Sequence, residues 1–539
     1  MASITKAPQK SWTNVTSDAE LVKHLLELYF CWEYPTLASL SKEHFRQDFS
    51  SGSSRYCSPL LVNALLALGS RFSDRPEPRT DPDDPFTAGD AFFEEAKRLF
   101  WEQTDHQDLT AVQAIGIMSI REASCGRDID SRYYAGQSVR LAIEMGLHRL
   151  DDDGTGDDHR TVQLITLWGA FSLDHAWSLT TGGLPQFSRF PRFPSKIHVN
   201  SELEETSWAP YTDDGPDPRP EAQQPCHIRS VFNCFCELSE IIHGALYTLH
   251  CPAKTPTSQA IAEIYHKYLH WYENIPDALR LGLNFTPQVL FVQYVSPSCQ
   301  PQPPPRLTLH PSIYYHYAIL HTFRPFLRLR ILNSRILPRQ LCLQAADAIQ
   351  ALMRAYSRLY GLRRTPSFLP YIVLGSSRIY LAIEQLDAPH GGSGPGDYDS
   401  WLTAHARPAQ GVSRLAADAL KANMATLEDM ARCHRAALVG VRMLGYLTRA
   451  WGVYSEIKGA LEGEAELMGQ TATRRAVVAG RAPDFFGKEE GGGREAEEGG
   501  QEMERLRSAL FWPAARVPPM IVPAGADLEA LGFEGAEGV

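Results

Sequence analysis

Apolar residues recur at three- and four-residue spacing along most of this chain, and that period predicts helix after helix. Ser17 opens SDAELVKHLLELYFCW, in which Ser17 and Glu20 have the spacing of a capping box. Leu21, Leu25, Leu28 and Trp32 share its apolar face, and Pro35 ends it. SKEHF is a short element. Ser58-Pro59 starts SPLLVNALLALGS, apolar on nearly every side, which predicts a helix buried all round. Further helices are predicted at 87–103 and 109–124. The most strongly patterned stretch is Tyr133 to Pro185: YYAGQSVRLAIEMGLHRL, the acidic break DDDGTGDD, then TVQLITLWGAFSLDHAWSLTTGGLP. It predicts two long helices folded back on each other, with Tyr134, Val139, Ile143 and Leu147 near one face of the first. Gly182, Gly183 and Pro185 stop the second.

The pattern lapses at 186–225, a Pro-rich loop too long for a simple connector. Helices resume at about 226–250, 257–274, 309–332, 338–362 and 367–387, with two more between Ser413 and Ile457. SPSCQPQPPPR and the linker 388–398 (APHGGSGPGD at its core) interrupt them. Residues 1–16 lack periodicity and predict disorder. The end, from about Gly459, holds KEEGGGREAEEGGQE and predicts disorder as well. Strand signals are weak throughout. The fold class expected is therefore all-α: one large multi-helix domain over 17–457 with Pro-rich loops, then a mostly disordered acidic tail over 458–539.

Composition changes this picture little. The 539 residues are 44% hydrophobic and 21% charged, enough for a sizeable core. A net charge of -11 argues against a chain built throughout as a nucleic-acid glove. From Arg481 to Val539 there are twelve acidic residues against six basic ones, about half of the imbalance. No secretory leader and no apolar run of about 18 residues is visible, so no membrane partner is expected. The ten cysteines are scattered and mostly sit in predicted helices, which suits buried apolar residues better than disulfides.

Candidate chemistry is sparse. His266 and His270 stand four apart, but no Glu follows the first as in HExxH and no third ligand presents itself; the pair reads as part of an amphipathic helix face. Cys234 and Cys236, two apart on a helix, point to different sides. Serine elbows and phosphate loops are absent from the sequence, and DDDGTGDD lacks EF-hand spacing. From Arg306 to Arg364 there are ten arginines, no lysine and one acid, Asp347. Arg324, Arg328, Arg335, Arg339, Arg354, Arg358, Arg363 and Arg364 could form a basic face for nucleic acid or import, or pair with acids on neighbouring helices; the latter is favoured because they alternate with apolar residues.

YYAGQSVRLAIEMGLHR resembles the signature of the fungal-specific transcription factor regulatory domain, the middle homology region of zinc binuclear cluster proteins. WGAFSLDHAWSLTTGGLP resembles its companion motif. WAPYTDDG, HIRSVFNCFCELSEIIHGALYTLH, YLHWYENIPDALRLGLNFTP, YHYAILHTFRPFLRLR and CLQAADAIQALMRAYSRLYGLRRTPSFLPY are similar to its nitrate-assimilation branch. The resemblance implies an all-helical domain of a nuclear RNA polymerase II regulator and no catalysis. Zinc, the family's cofactor, would belong to a six-cysteine C-x2-C-x6-C module, and no such run occurs in this sequence. The partners implied are promoter DNA, directly or through a partner factor, and co-regulators or the transcription machinery, with a homodimer left open. The alternative is a sensor or scaffold without its own DNA-binding domain that regulates a partner factor. An all-α enzyme is disfavoured for want of an acid, base and nucleophile. The sequence departs from the family's frequent arginines at His175, after Leu173-Asp174, and at Leu184, in Gly183-Leu184-Pro185. The residues expected to form a regulatory core are Arg140, Glu144, His148 and Asp174. Arg140 and Glu144 are spaced to pair, and His148 lies near a helix C-terminus that favours its cationic form.

Overall fold

A computed structural model describes residues 11–103, 105–150, 158–187, 193, 196, 204, 206–219, 222–251, 255–281, 286–292, 294–295, 312–387, 414–450 and 527–535. The linker 388–398, SPSCQPQPPPR, most of DDDGTGDD, and residues 1–10 and 458–526 lie outside them.

The helices are α1 (Ala19–Trp32), α2 (Lys42–Ser51), α3 (Pro59–Gly69), α4 (Asp90–Glu102), α5 (Leu109–Ser124), α6 (Asp128–Glu144) and α7 (Asp158–Thr181). After the long loop come α8 (Ile228–His250), α9 (Ser258–Glu273), α10 (Pro287–Val292), α11 (Ile313–Phe323), α12 (Pro338–Tyr360), α13 (Leu369–Asp387), α14 (Arg414–Met430) and α15 (Arg435–Ala450). The fold is all-α, as the period predicted. The segment expected as one helix over 309–332 is shorter, because Pro325 closes α11 into a 3-10 turn and the chain then extends as a strand.

α5 is the central rod. Asp108 caps it by accepting the N–H of Thr110 at 3.3 Å, and every residue from Leu109 to Ser124 is buried. It packs against α3, α6 and α7, and α15 returns from the far end of the sequence to touch it. α3 starts as expected, with the Ser58 hydroxyl accepting the Leu61 N–H at 3.2 Å. Its one polar interior residue, Asn63, is satisfied by residues 12 and 13: its amide donates to the Trp12 carbonyl at 3.3 Å, and the Thr13 hydroxyl donates to its oxygen at 2.8 Å. Trp12 is buried and stacks on Phe49. The expected disorder of 1–16 therefore fails for 11–16, where one tryptophan supplies enough apolar area to fix the segment. The predicted Ser17 capping box is also not the one used. Asp18 caps α1, accepting from Glu20 and Leu21 at 2.9 and 3.0 Å.

A single apolar cluster runs from Trp12 to Phe533. Within it α7 crosses residues 38–39 so closely that a Cβ on Gly169 would stand 2.5 Å from the Ser39 Cα; glycine there is a packing requirement. The strands are short. β1 (Ser207–Trp208) pairs with β4 (Gln224–Pro225), and β2 (Tyr211–Thr212) with β3 (Gly215–Pro216), both antiparallel and both within the Pro-rich loop. β5 (Arg280–Leu281) and β6 (Tyr294–Val295) form one parallel pair. β7 (Leu329–Ile331) pairs antiparallel with β8 (Phe533–Gly535). The last contact corrects the tail: residues 527–535 are docked, with Phe533 fully buried.

Candidate functional site

The residues expected as a regulatory core are Arg140, Glu144, His148 and Asp174. Arg140 and Glu144 do pair on α6, Nε to Oε1 at 2.8 Å, but both are exposed, at 68% and 43%. His148 sits in the 3-10 turn after α6, and its imidazole is shifted toward the neutral form by burial and by Arg149. The helix-end argument for a cation is overturned there, since desolvation and a neighbouring like charge both disfavour it. Asp174 is buried on α7 and accepts the Phe187 N–H at 3.0 Å, with a second backbone bond from Gln186. It pins the chain as it leaves α7. Burial raises its carboxyl to about 6, against these two bonds.

His175, one of the two departures from the family pattern, is fully buried. Its ring stacks on Phe171, its Nδ1 stands 2.6 Å from the Phe171 carbonyl, and its Nε2 is 2.8 Å from Nδ1 of His243 on α8. A carbonyl only accepts, so His175 Nδ1 carries the proton and His243 Nδ1 donates to His175 Nε2. Burial, then the charge of His243, pushes His175 down to about 3, so His175 is neutral. Leu184, the other departure, is exposed.

The side chains that do converge lie where five segments meet, behind the ends of α1, α3, α12 and α14. Arg363 donates through Nε to Asp74 at 2.8 Å and through its Nη atoms to the carbonyls of Arg71 and Ser73. Arg364 donates to the Phe72 carbonyl at 2.7 Å, to Asp74 at 3.1 Å and to Asp213 at 2.7 Å. Asp213, on the β2–β3 turn, also accepts from His24 Nε2, the Ser73 hydroxyl and the Asp74 N–H at 2.9, 2.6 and 2.9 Å. Burial alone would raise its carboxyl. The bonds from His24, Ser73 and the Asp74 N–H, with the charge of Arg364, outweigh burial and hold it well below the usual range.

Beside this group lies a second, more deeply buried one. Glu33, at the end of α1, is fully buried and accepts the Ser367 N–H at 3.0 Å and its hydroxyl at 2.7 Å. Its other oxygen has no hydrogen-bond partner among the described residues. Burial raises the carboxyl to about 7, while the Ser367 bonds and His434 work the other way. His434 Nε2 is 2.6 Å from the Thr365 carbonyl and so donates; its Nδ1 then accepts from the Ser124 hydroxyl at 2.8 Å. Burial holds His434 down to about 4. Arg71 completes the junction, bonded to the carbonyls of Phe86 and Cys433 at 3.0 and 2.9 Å.

In this arrangement arginine forks are taken up by carboxylates and backbone carbonyls, so the group is a fastening and not a reaction centre. The basic sector divides accordingly. Arg363 and Arg364 pair with acids, whereas Arg328, Arg335, Arg354 and Arg358 are exposed and Arg324 and Arg339 half-buried. His266 and His270 are exposed on α9. Among the described residues no group of three His, Cys, Asp or Glu side chains is placed to hold a metal ion. Cys31 and Cys234 are buried, and burial pushes each thiol up to about 12, far from the thiolate that zinc requires. These residues do not fit a zinc cluster. A cavity between α7, α8 and α11 is about 20 Å³, water-sized, whereas small-molecule sites run to about 300–1,000 Å³.

Sequence reasoning missed the junction, although some of its residues fall within stretches that it singled out. Asp213 falls within WAPYTDDG, and Arg363, Arg364, Thr365 and Ser367 within LRRTPSFLPY, two of the stretches that carried the resemblance. Residues 26–279 match the fungal specific transcription factor domain. That stretch, just under half of the chain, carries the regulatory domain. Over 388 residues it is 37% identical to the nitrogen assimilation transcription factor nirA of Emericella nidulans, a match covering 69% of this chain and 41% of that protein. The nitrogen assimilation transcription factor nit-4 of Neurospora crassa is 32% identical over 393 residues, 69% of this chain and 34% of nit-4. The notoamide biosynthesis transcriptional activator notL' of Aspergillus versicolor is 25% identical over 335 residues, 60% and 48% of the two chains. The matches thus span less than half the length of each of these relatives. No solved structure matches. The family and the relatives are transcription factors and not enzymes, and no described helix is long and apolar enough to cross a membrane.

Proposed function

We propose that the regulatory domain serves a nuclear transcription regulator of nitrogen-assimilation genes. The observation that carries this reading is the 37% identity to nirA along 388 residues. The junction suits such a role, because a domain that restrains or licenses activation needs a fixed frame more than a pocket. His24, Asp74, Asp213, Arg363 and Arg364 supply that frame by tying α1, the segment after α3, the β2–β3 turn and the α12–α13 loop together. Promoter DNA is the ultimate target, reached through the family's six-cysteine zinc module or through a partner factor, and co-regulators act on the helical surface. Zinc enters this proposal only through that module.

The test is deletion of the gene in its host, with growth on nitrate and on ammonium as the readout. Loss of growth on nitrate alone, restored by the full gene, is the expected result. Unchanged growth and unchanged induction of nitrate-responsive transcripts refute the nitrogen assignment. A gel shift with the full chain and a responsive promoter separates direct DNA contact from action through a partner.

A further inference from the structure

The C-terminal segment Asp527–Gly535 makes contacts of the kind a bound peptide makes. It lies in a cleft between β7 and the start of α9, and residues 451–526 connect it to α15. Its strand β8 runs antiparallel to β7 in the register Leu329 to Gly535, Arg330 to Glu534 and Ile331 to Phe533, and among the described residues β7 has no other strand partner. Two backbone groups of the cleft take up the segment's carbonyls. Leu332 N–H donates to Gly532 at 2.9 Å, and Ser258 N–H donates to Leu531 at 2.9 Å. The second donor belongs to the first turn of α9, whose N–H groups have no partner within the helix.

Side chains then set the selectivity. Phe533 is fully buried and stacks on Phe326, ring centres 5.3 Å apart and planes 12° apart. Leu528 and Leu531 pack on the rim of the core. Gly532 has φ +80°, and a Cβ there would collide with Ser258, so only glycine fits. The segment folds on itself between these anchors, with the Phe533 N–H bonded to the Leu528 carbonyl at 2.7 Å and the Asp527 carboxylate capping the Ala530 N–H at 3.1 Å. Main-chain pairing at a strand edge combined with pockets for chosen side chains is how domains recognise extended peptides.

We propose that the β7–α9 cleft is a peptide-binding site for the sequence Leu-x-x-Leu-Gly-Phe, filled reversibly by the chain's own residues 528–533 as a tethered ligand. The inference is independent of the nitrogen assignment, since it needs only the folded chain. Covalent attachment raises the local ligand concentration to the mM range or somewhat below, so a peptide supplied in trans competes poorly until the resident segment is weakened.

The experiment uses the full chain and a fluorescent peptide of residues 527–535, read by anisotropy. Phe533→Ala removes the resident anchor. The expected result is that the peptide binds the Phe533→Ala chain about tenfold or more tighter than the unsubstituted chain, and that adding Phe326→Ala abolishes binding. Equal affinity for both chains, or binding to neither, overturns the proposal. Should Phe533→Ala misfold, a specific protease site placed within 451–526 of the full chain gives a second readout. After cleavage the C-terminal fragment should co-elute with the body in concentrated solution and separate on dilution. A fragment that never separates, or never co-elutes, overturns it as well.

Discussion

Replacing Asp213 with alanine removes the carboxylate on which His24, Ser73, the Asp74 N–H and Arg364 converge. Deleting one partner of a buried charge pair costs about 3–5 kcal/mol, and of an exposed pair about 0–1 kcal/mol. Asp213 is 16% exposed and Asp74, which bridges the same arginines, is 60% exposed. Asp213→Ala is therefore expected to cost about 3 kcal/mol and Asp74→Ala no more than about 1 kcal/mol. With an unfolding entropy of about 2.1 cal/mol/K per residue over roughly 370 described residues, 3 kcal/mol lowers the melting temperature by about 4 °C and 1 kcal/mol by about 1 °C. Scanning fluorimetry of the two variants resolves that difference. The pH dependence supplies a second check. Because the folded carboxyl lies below its unfolded value, its contribution is present above about pH 4 and is lost as the pH falls further. The gap between wild type and Asp213→Ala should narrow by about 1 kcal/mol between pH 5 and pH 3. Equal melting of the two variants, or a gap that widens in acid, refutes the junction as the principal fastening.

His175 is neutral when folded and lies about 3 against an ordinary 6.5, so its share of stability is present above about pH 6.5 and lost as pH falls toward 3. His175→Gln lacks that share, and urea titrations at pH 7 and pH 5 should show the difference between the two proteins shifting by about 2 kcal/mol in the variant's favour. Asp174 has the opposite sign: its raised carboxyl stabilises fully below about pH 4, and the contribution fades as pH rises through about 6. Asp174→Asn stays neutral and should gain about 2 kcal/mol on wild type between pH 4 and pH 7; a gain on acidification instead would show the carboxylate to be the favoured form. Gly169→Ala drives a Cβ into Ser39 and should cost about 1–3 kcal/mol, measured as a melting shift; an unchanged melting temperature would mean that residues 38–39 yield freely.

The helices were legible because their information is local. Apolar period, Pro59 and the Asp and Ser caps act within one or two turns, and the predicted 109–124 agrees with α5 to the residue. What was not legible depended on distant partners. Arg363 and Arg364 read from the sequence as two members of a basic stretch, and nothing local tells that Asp74 and Asp213 meet them. Arg140 and Glu144 were readable as a pair for the converse reason, being four apart on one helix. Their exposure was not readable, since it is decided by what packs on α6. Trp12 and Phe533 were hidden because a single aromatic anchors a short segment without any period to announce it.

The sequence separation across the junction has a consequence for synthesis. Asp74 lies 289 positions before Arg363, and Glu33 lies 334 before Ser367. At a translation rate of about 5–20 residues per second, roughly 15–60 s pass between the emergence of Asp74 and that of its arginine. During that interval α1 and α3 can cover each other, but Glu33 and Asp74 face a gap that only the later half of the chain fills. The fastening of the N-terminal half is thus completed only when two adjacent arginines arrive.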